Sequence, residues 1–205
     1  MSNPEPSSIT ILIHGTFSRE VGLWHRPGSR FHSFLKRQFF PDVYSGPDFF
    51  KWSGRRPDAA RHEAAVKLVK WCKKHPAQTY NLIAHSHGTN VVNIATHIGL
   101  ENIGKMIYLS PPVWGDKPNY LPDLEKVDQK VIFNFHPRQD FIVSVLGHAR
   151  QNFDGTEVDR YEREFVLPGG DHWAPVRIHS WRAHNIGEIV TDDELDMTDE
   201  HGDEL

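Results

Sequence analysis

Asn81-Leu82-Ile83-Ala84-His85-Ser86-His87-Gly88-Thr89-Asn90-Val91-Val92 passes from an apolar, β-prone segment through a polar kink into a helical pattern. Ser86 supplies the hydroxyl at the kink, with Ala84 two residues before it and Gly88 two residues after. On a sharp strand-to-helix turn a serine has its Oγ thrust away from the backbone, above the end of a sheet. Small flanking residues are needed there, because strand and helix must approach closely. The N–H of His87 would sit at the helix N-terminus, aimed at negative charge developing beside Ser86. The competing reading makes Ser86 an ordinary helix N-cap.

Outward from this turn, apolar runs alternate with helical stripes. Strands are predicted at 9–13, 79–84, 105–109, 131–135 and 161–167, with a weak one at 49–52. Ser29 reads as the N-cap of a helix burying Phe31, Phe34, Leu35 and Phe39, which Pro41 stops. Pro57-Asp58 opens a helix to about Lys74 whose stripe is Ala65, Leu68, Val69 and Cys72. The helix after Ser86 buries Val91, Ile94, Ala95 and Ile98, a short one is expected at 143–148, and a last one runs from about Ser180 to Val190. Such alternation predicts an α/β fold, a mostly parallel central sheet with helices on both faces, and a site at the carboxyl ends of the strands.

Length and composition narrow the classes. The 205 residues suit one domain, expected at 1–190, followed by an acidic tail at 191–205 that holds eight acids and no Lys or Arg. No apolar run is long enough to span a bilayer, so stable membrane insertion is not expected. The polar start lacks a basic-then-apolar leader and one cysteine, Cys72, rules out an intrachain disulfide, so the cytoplasm is the default location. Zinc-finger spacing, an RNA-binding aromatic signature and a basic helix are all lacking, which argues against a nucleic-acid partner. His85 and His87 bracket Ser86, but residues at a kink diverge and no His-Glu-x-x-His spacing occurs, so no metal is expected. Oligomeric state is not legible.

Ala84-His85-Ser86-His87-Gly88, preceded by strand and followed by helix, resembles the nucleophile elbow of the α/β-hydrolases, with Ala84 where their pattern has a first glycine. His14-Gly15-Thr16-Phe17, just after an apolar strand, resembles their oxyanion loop. Together with Asp140 and a late histidine, the chain resembles a small lipase- or esterase-like member over roughly residues 9–190, a minimal fold with no large cap domain. The resemblance implies a Ser-Asp-His triad in that chain order. Ser86 would be its nucleophile. Asp140, on the loop after the 131–135 strand, is the preferred acid over Asp116, Asp123 and Asp128. His172, His179 and His184 compete for the base. His179 is preferred because the family places this residue at or just before the final helix, which Ser180 would cap; His172 is the alternative. The oxyanion donors would be the amides of Thr16 and His87, with Phe17 as fallback for the first. Phe17, Trp24, Trp114, Tyr120 and Trp173 suggest an apolar acyl pocket. The implied reaction is hydrolysis of a small-molecule or lipid carboxylic ester through an acyl-enzyme, with no cofactor. Thioester or amide hydrolysis and a catalytically silent binding module are the rival readings.

Overall fold

Side chains alternate across a strand, and in this chain both sides are apolar. Along β1 (Ser8–Ile13), Ile9, Ile11 and Ile13 enter one core cluster while Leu12 enters the other. Along β2 (Thr79–His85) Leu82 and Ala84 go to the first and Ile83 to the second. In β3 (Ile103–Leu109) Met106 and Tyr108 divide from Ile107 and Leu109 in the same way. Strands buried on both faces need cover on both, which favours a parallel sheet with crossover helices. The computed structural model, which describes residues 6–16, 23–128, 131–138, 140, 142–143 and 149–192, has that architecture. With β4 (Ile132–Pro137) and β5 (Glu162–Leu167), five strands pair in parallel in the order β1-β2-β3-β4-β5.

The helices divide between the two faces. α1 (Arg30–Gln38) begins where expected, the Ser29 side chain accepting the His32 N–H at 3.1 Å. α2 (Asp58–Lys74) buries Ala65, Leu68, Val69 and Cys72 and leaves Lys67, Lys70 and Lys74 exposed. It packs on the first face with α3 (His87–His97). α1, α4 (Ile178–Ala183) and α5 (Ile186–Thr191) cover the second face, where Trp181 is fully buried and donates its indole N–H to the Pro175 carbonyl at 2.7 Å. Burial pushes the Cys72 thiol up to about 12, as expected of a core cysteine rather than a reactive one.

Three local expectations are revised. Residues 49–52 form no strand, because the free edge of β1 is already taken. Thr10 N–H donates to Asp42 at 3.3 Å and its carbonyl accepts from Tyr44 at 3.0 Å, so Phe50 and Trp52 are buried without a ladder, Trp52 donating its indole N–H to the His14 carbonyl at 2.7 Å. The last helix is two helices. Asn185 breaks it in the left-handed region (φ 51°), and the Gly187 backbone then lies so close to the Phe39 ring that a Cβ would fall 2.2 Å from it. The first of the two also starts earlier than expected, at Ile178, with Arg177 rather than Ser180 near the cap. The helix expected at 143–148 lies, apart from Val143, outside the described residues, as does the acidic tail beyond Asp192. Among the described residues no helix is long and apolar enough to cross a membrane.

The Ser29 cap and the Trp181 plug give two stability expectations. Ser29→Ala should cost about 1 kcal/mol. Trp181→Ala should cost about 3–5 kcal/mol. Both are read by urea unfolding, and an effect at Trp181 below that at Ser29 would contradict the packing described.

Candidate active site

β2 turns into α3 at Ser86, whose backbone is left-handed with φ 53° and ψ −134°. This conformation costs a residue bearing a Cβ about 1–3 kcal/mol and persists only where the surroundings over-determine it. Here Ser86 N–H donates to the Leu109 carbonyl at 2.9 Å, and the Ser86 carbonyl accepts from Thr89 N–H at 2.9 Å and Thr89 Oγ1 at 2.8 Å. Ser86 occupies the cap position of α3, yet its side chain makes no cap bond. The N-cap reading therefore fails, and the Oγ remains available to the cleft that Ser86 lines.

Two glycines let the turn close. A Cβ on Gly88 would fall 2.6 Å from the Ile13 carbonyl oxygen and 2.8 Å from that of His14, both backbone atoms that cannot step aside. A Cβ on Gly15 would fall 2.7 Å from Ser86 Cβ. The end of β1 thus lies directly against the elbow. Ala84, in the place of the family's first glycine, sits fully buried in β2, paired in register with Ile13 and Tyr108.

Asp140 follows the end of β4, and its Oδ2 accepts the Nδ1–H of His172 at 2.5 Å, both side chains buried. Its Oδ1 accepts the backbone N–H groups of Ile142 at 3.0 Å and Val143 at 3.2 Å, which fixes the carboxylate. With Nδ1 donating, the Nε2 of a neutral His172 carries the lone pair. The expectation for His179 is therefore corrected: the histidine joined to Asp140 is His172. His179 is exposed in the first turn of α4, and His184 is a half-buried residue at that helix's other end. The Gly169-Gly170 turn just before His172 is what delivers it. Both glycines have positive φ (76° and 93°), and Gly170 lies so close to Ala174 that a Cβ would meet Ala174 Cβ at 2.7 Å. His85 acts as a strut for the same loop, donating its Nε2–H to the His172 carbonyl at 3.0 Å. Burial first, then the neighbouring His172, holds His85 well below the usual histidine range, so it stays neutral.

Thr16 Oγ1 and His87 Nδ1 are joined by a hydrogen bond of 2.8 Å, which sets the two expected oxyanion residues side by side next to Ser86. Phe17 lies outside the described residues. The cleft, about 560 Å³ including its open mouth, is lined by Thr16, Ser86, His87 and His172, an apolar wall that includes Trp114 and Trp173, and Arg56. Of the other aromatics, Trp24 and Tyr120 are buried packing residues. His87 stacks on Trp114 with ring centroids 5.5 Å apart. Burial and then the Arg61 charge, followed by His172, Arg56 and Lys117, push the His87 pKa down to about 3. Arg61 is buried in α2, donating to Tyr120 Oη at 2.9 Å and the Arg56 carbonyl at 2.7 Å and pairing with Asp58. Sequence reasoning missed Arg56 and the His85 strut, and gave Arg61 no role in the site. The one signal for Arg61 was its place at i−4 from Ala65, on the apolar stripe of α2. Among the described residues, the group of side chains spaced to hold a metal ion is Asp154, Asp159 and Glu162, none of which lines the cleft.

Neither a family model nor a curated protein matches the chain. Solved structures do. A protein from Xanthomonas campestris pv. campestris assigned to the hydrolases of the alpha/beta superfamily is 16% identical, with a TM-score of 0.56 over 92% of this chain and 98% of that one. Est1E from Butyrivibrio proteoclasticus is 17% identical (TM-score 0.54, 94% and 89% covered). The Pyrococcus furiosus esterase Pf2001 is also 17% identical (TM-score 0.51, 89% and 82% covered). At these identities the likeness establishes the fold: this chain has the α/β-hydrolase fold in a minimal form.

Two expectations follow from the site. Gly88→Ala forces its Cβ into the Ile13 and His14 carbonyls, so it should cost about 1–3 kcal/mol of stability, as measured by thermal unfolding. The second concerns pH. His25 is pushed down from 6.5 to about 3 by burial, then by His14 and Arg26. The unfolded chain thus takes up that proton first. Stability is whole above about 6.5 and is lost as pH falls toward about 3, by up to about 1.4 kcal/mol per pH unit for each such histidine. Urea unfolding at about pH 7.5 and about pH 5 should show this slope, and His25→Gln should make it shallower.

Proposed function

We propose that this protein is a serine hydrolase that cleaves carboxylic esters, with Ser86 as nucleophile, His172 as base and Asp140 as the orienting acid. The observation that carries the reading is the Asp140–His172 pair opening on the same apolar cleft as an uncapped serine in a strained turn. His172 Nε2 takes the Ser86 proton as Oγ attacks the ester carbonyl. Asp140 holds the imidazole in the required tautomer and offsets its positive charge. The amides of Thr16 and His87 donate to the oxyanion as it forms. His172 then returns the proton to the leaving alcohol, and water, deprotonated by the same ring, frees the acid from the acyl-enzyme. His87, with its pKa pushed down to about 3, is a weak base beside His172. One of these structural neighbours, Pf2001, is named as an esterase, which agrees with this chemistry.

A fluorophosphonate probe should label the wild type and fail to label Ser86→Ala. A folded wild type that takes no label would instead favour a silent binding module. On 4-nitrophenyl esters, His172→Ala and Asp140→Asn should lower kcat by roughly 10²–10⁴-fold. His179→Ala should change it by less than about threefold, as expected of a surface substitution. A selective collapse at His179 would overturn the assignment of the base.

A further inference from the structure

We propose that Arg56 is a specificity-determining residue and that the substrate is an ester carrying an anionic group, of the carboxylate or phosphate kind, which the Arg56 guanidinium binds at the rim of the Ser86 cleft. This rests on the serine-hydrolase reading and adds the substrate class. Arg56 is exposed and is the one Lys or Arg among the residues that line the cleft. Its guanidinium has no carboxylate partner among the described residues. Its position is set from behind, because Arg61 Nη1 donates to its carbonyl at 2.7 Å from a buried site in α2. The rim behind it is also cationic. Arg61 lies 5.7 Å and Lys117 Nζ 4.6 Å from the centre of the Trp114 ring that walls the cleft. The acid that faces this group is Asp58, already engaged by Arg61, by Tyr120 Oη at 2.8 Å and by Lys117 at 3.4 Å. Among the described residues three cations thus stand against one carboxylate, and the unpaired one is the one that lines the cleft. An arginine fork matches a planar carboxylate or a phosphate with two parallel hydrogen bonds, and the apolar wall takes the rest of the chain.

Matched ester pairs test this. The 4-nitrophenyl monoester of adipic acid is set against 4-nitrophenyl hexanoate, which places the charge on the acyl side. The hexanoates of 4-hydroxybenzoate and of 4-hydroxyphenyl phosphate are set against that of 4-hydroxybenzamide, which places it on the alcohol side as carboxylate or phosphate. In the wild type at least one anionic ester should exceed its neutral partner in kcat/KM by about tenfold or more. Arg56→Gln should erase that advantage, chiefly through KM, Arg56→Glu should invert it, and Arg56→Lys should keep part of it. Equal ratios in wild type and Arg56→Gln would overturn the inference while leaving the hydrolase reading intact. A wild type that takes the fluorophosphonate label yet shows no preference for, or no turnover of, any anionic ester overturns it equally. Absence of both labelling and turnover would remove the hydrolase reading, and this inference with it.

Discussion

The arrangement depends on one strained residue. Ser86 keeps a backbone conformation costing about 1–3 kcal/mol, because β2 arrives as an inner strand and α3 leaves with its first turn tied down. Leu82, Ile83 and Ala84 are fully buried before it, and Thr89 holds its carbonyl after it. The neighbouring strands complete the clamp: Leu109 at the end of β3 accepts its N–H, and Gly15 after β1 lies against its Cβ. Thr16 reaches His87 only because Gly15 and Gly88 both lack side chains. The placement of Ser86 and of the Thr16–His87 pair proposed as oxyanion donors is therefore the outcome of a single close approach between the carboxyl ends of β1, β2 and β3.

Around that point the chain concentrates histidines, and burial sorts them. His85 is fully buried and His87 half-buried; burial and the neighbouring His172 keep His85 neutral, while burial and then the Arg61 charge push His87 down to about 3. Of the two histidines that line the cleft, His172 has a carboxylate at hydrogen-bond distance. A low dielectric penalises an unpaired charge and rewards a paired one. The same principle separates a structural strut such as His85 from a ring paired with a buried carboxylate, as His172 is with Asp140.

Much of this was legible in the chain. The five apolar runs became the five strands, Ser29 capped its helix, and the stripe from Ala65 to Cys72 was buried. Local chemistry suffices for such features: periodicity decides a buried face, and a hydroxyl before a helix finds an orphan amide. The mistakes were of another kind. Phe49 to Trp52 had strand composition, but no free strand edge was left beside them. His179 looked well placed because Ser180 looked like a cap, and the helix began two residues before Ser180 instead.

By itself, the order of residues determined that a serine would stand at a tight strand-to-helix turn, with an acid just after a later strand and histidines beyond the last one. Apolar spacing and small flanking residues act over a few positions, so they can be read in one dimension. Which late histidine meets Asp140, and the presence beside the cleft of an arginine with no acid partner among the described residues, belong to the tertiary structure alone. Both depend on where Gly169-Gly170 and the segment before α2 bring the chain across the end of the sheet. Those are distances between residues far apart in sequence, and no local pattern encodes them.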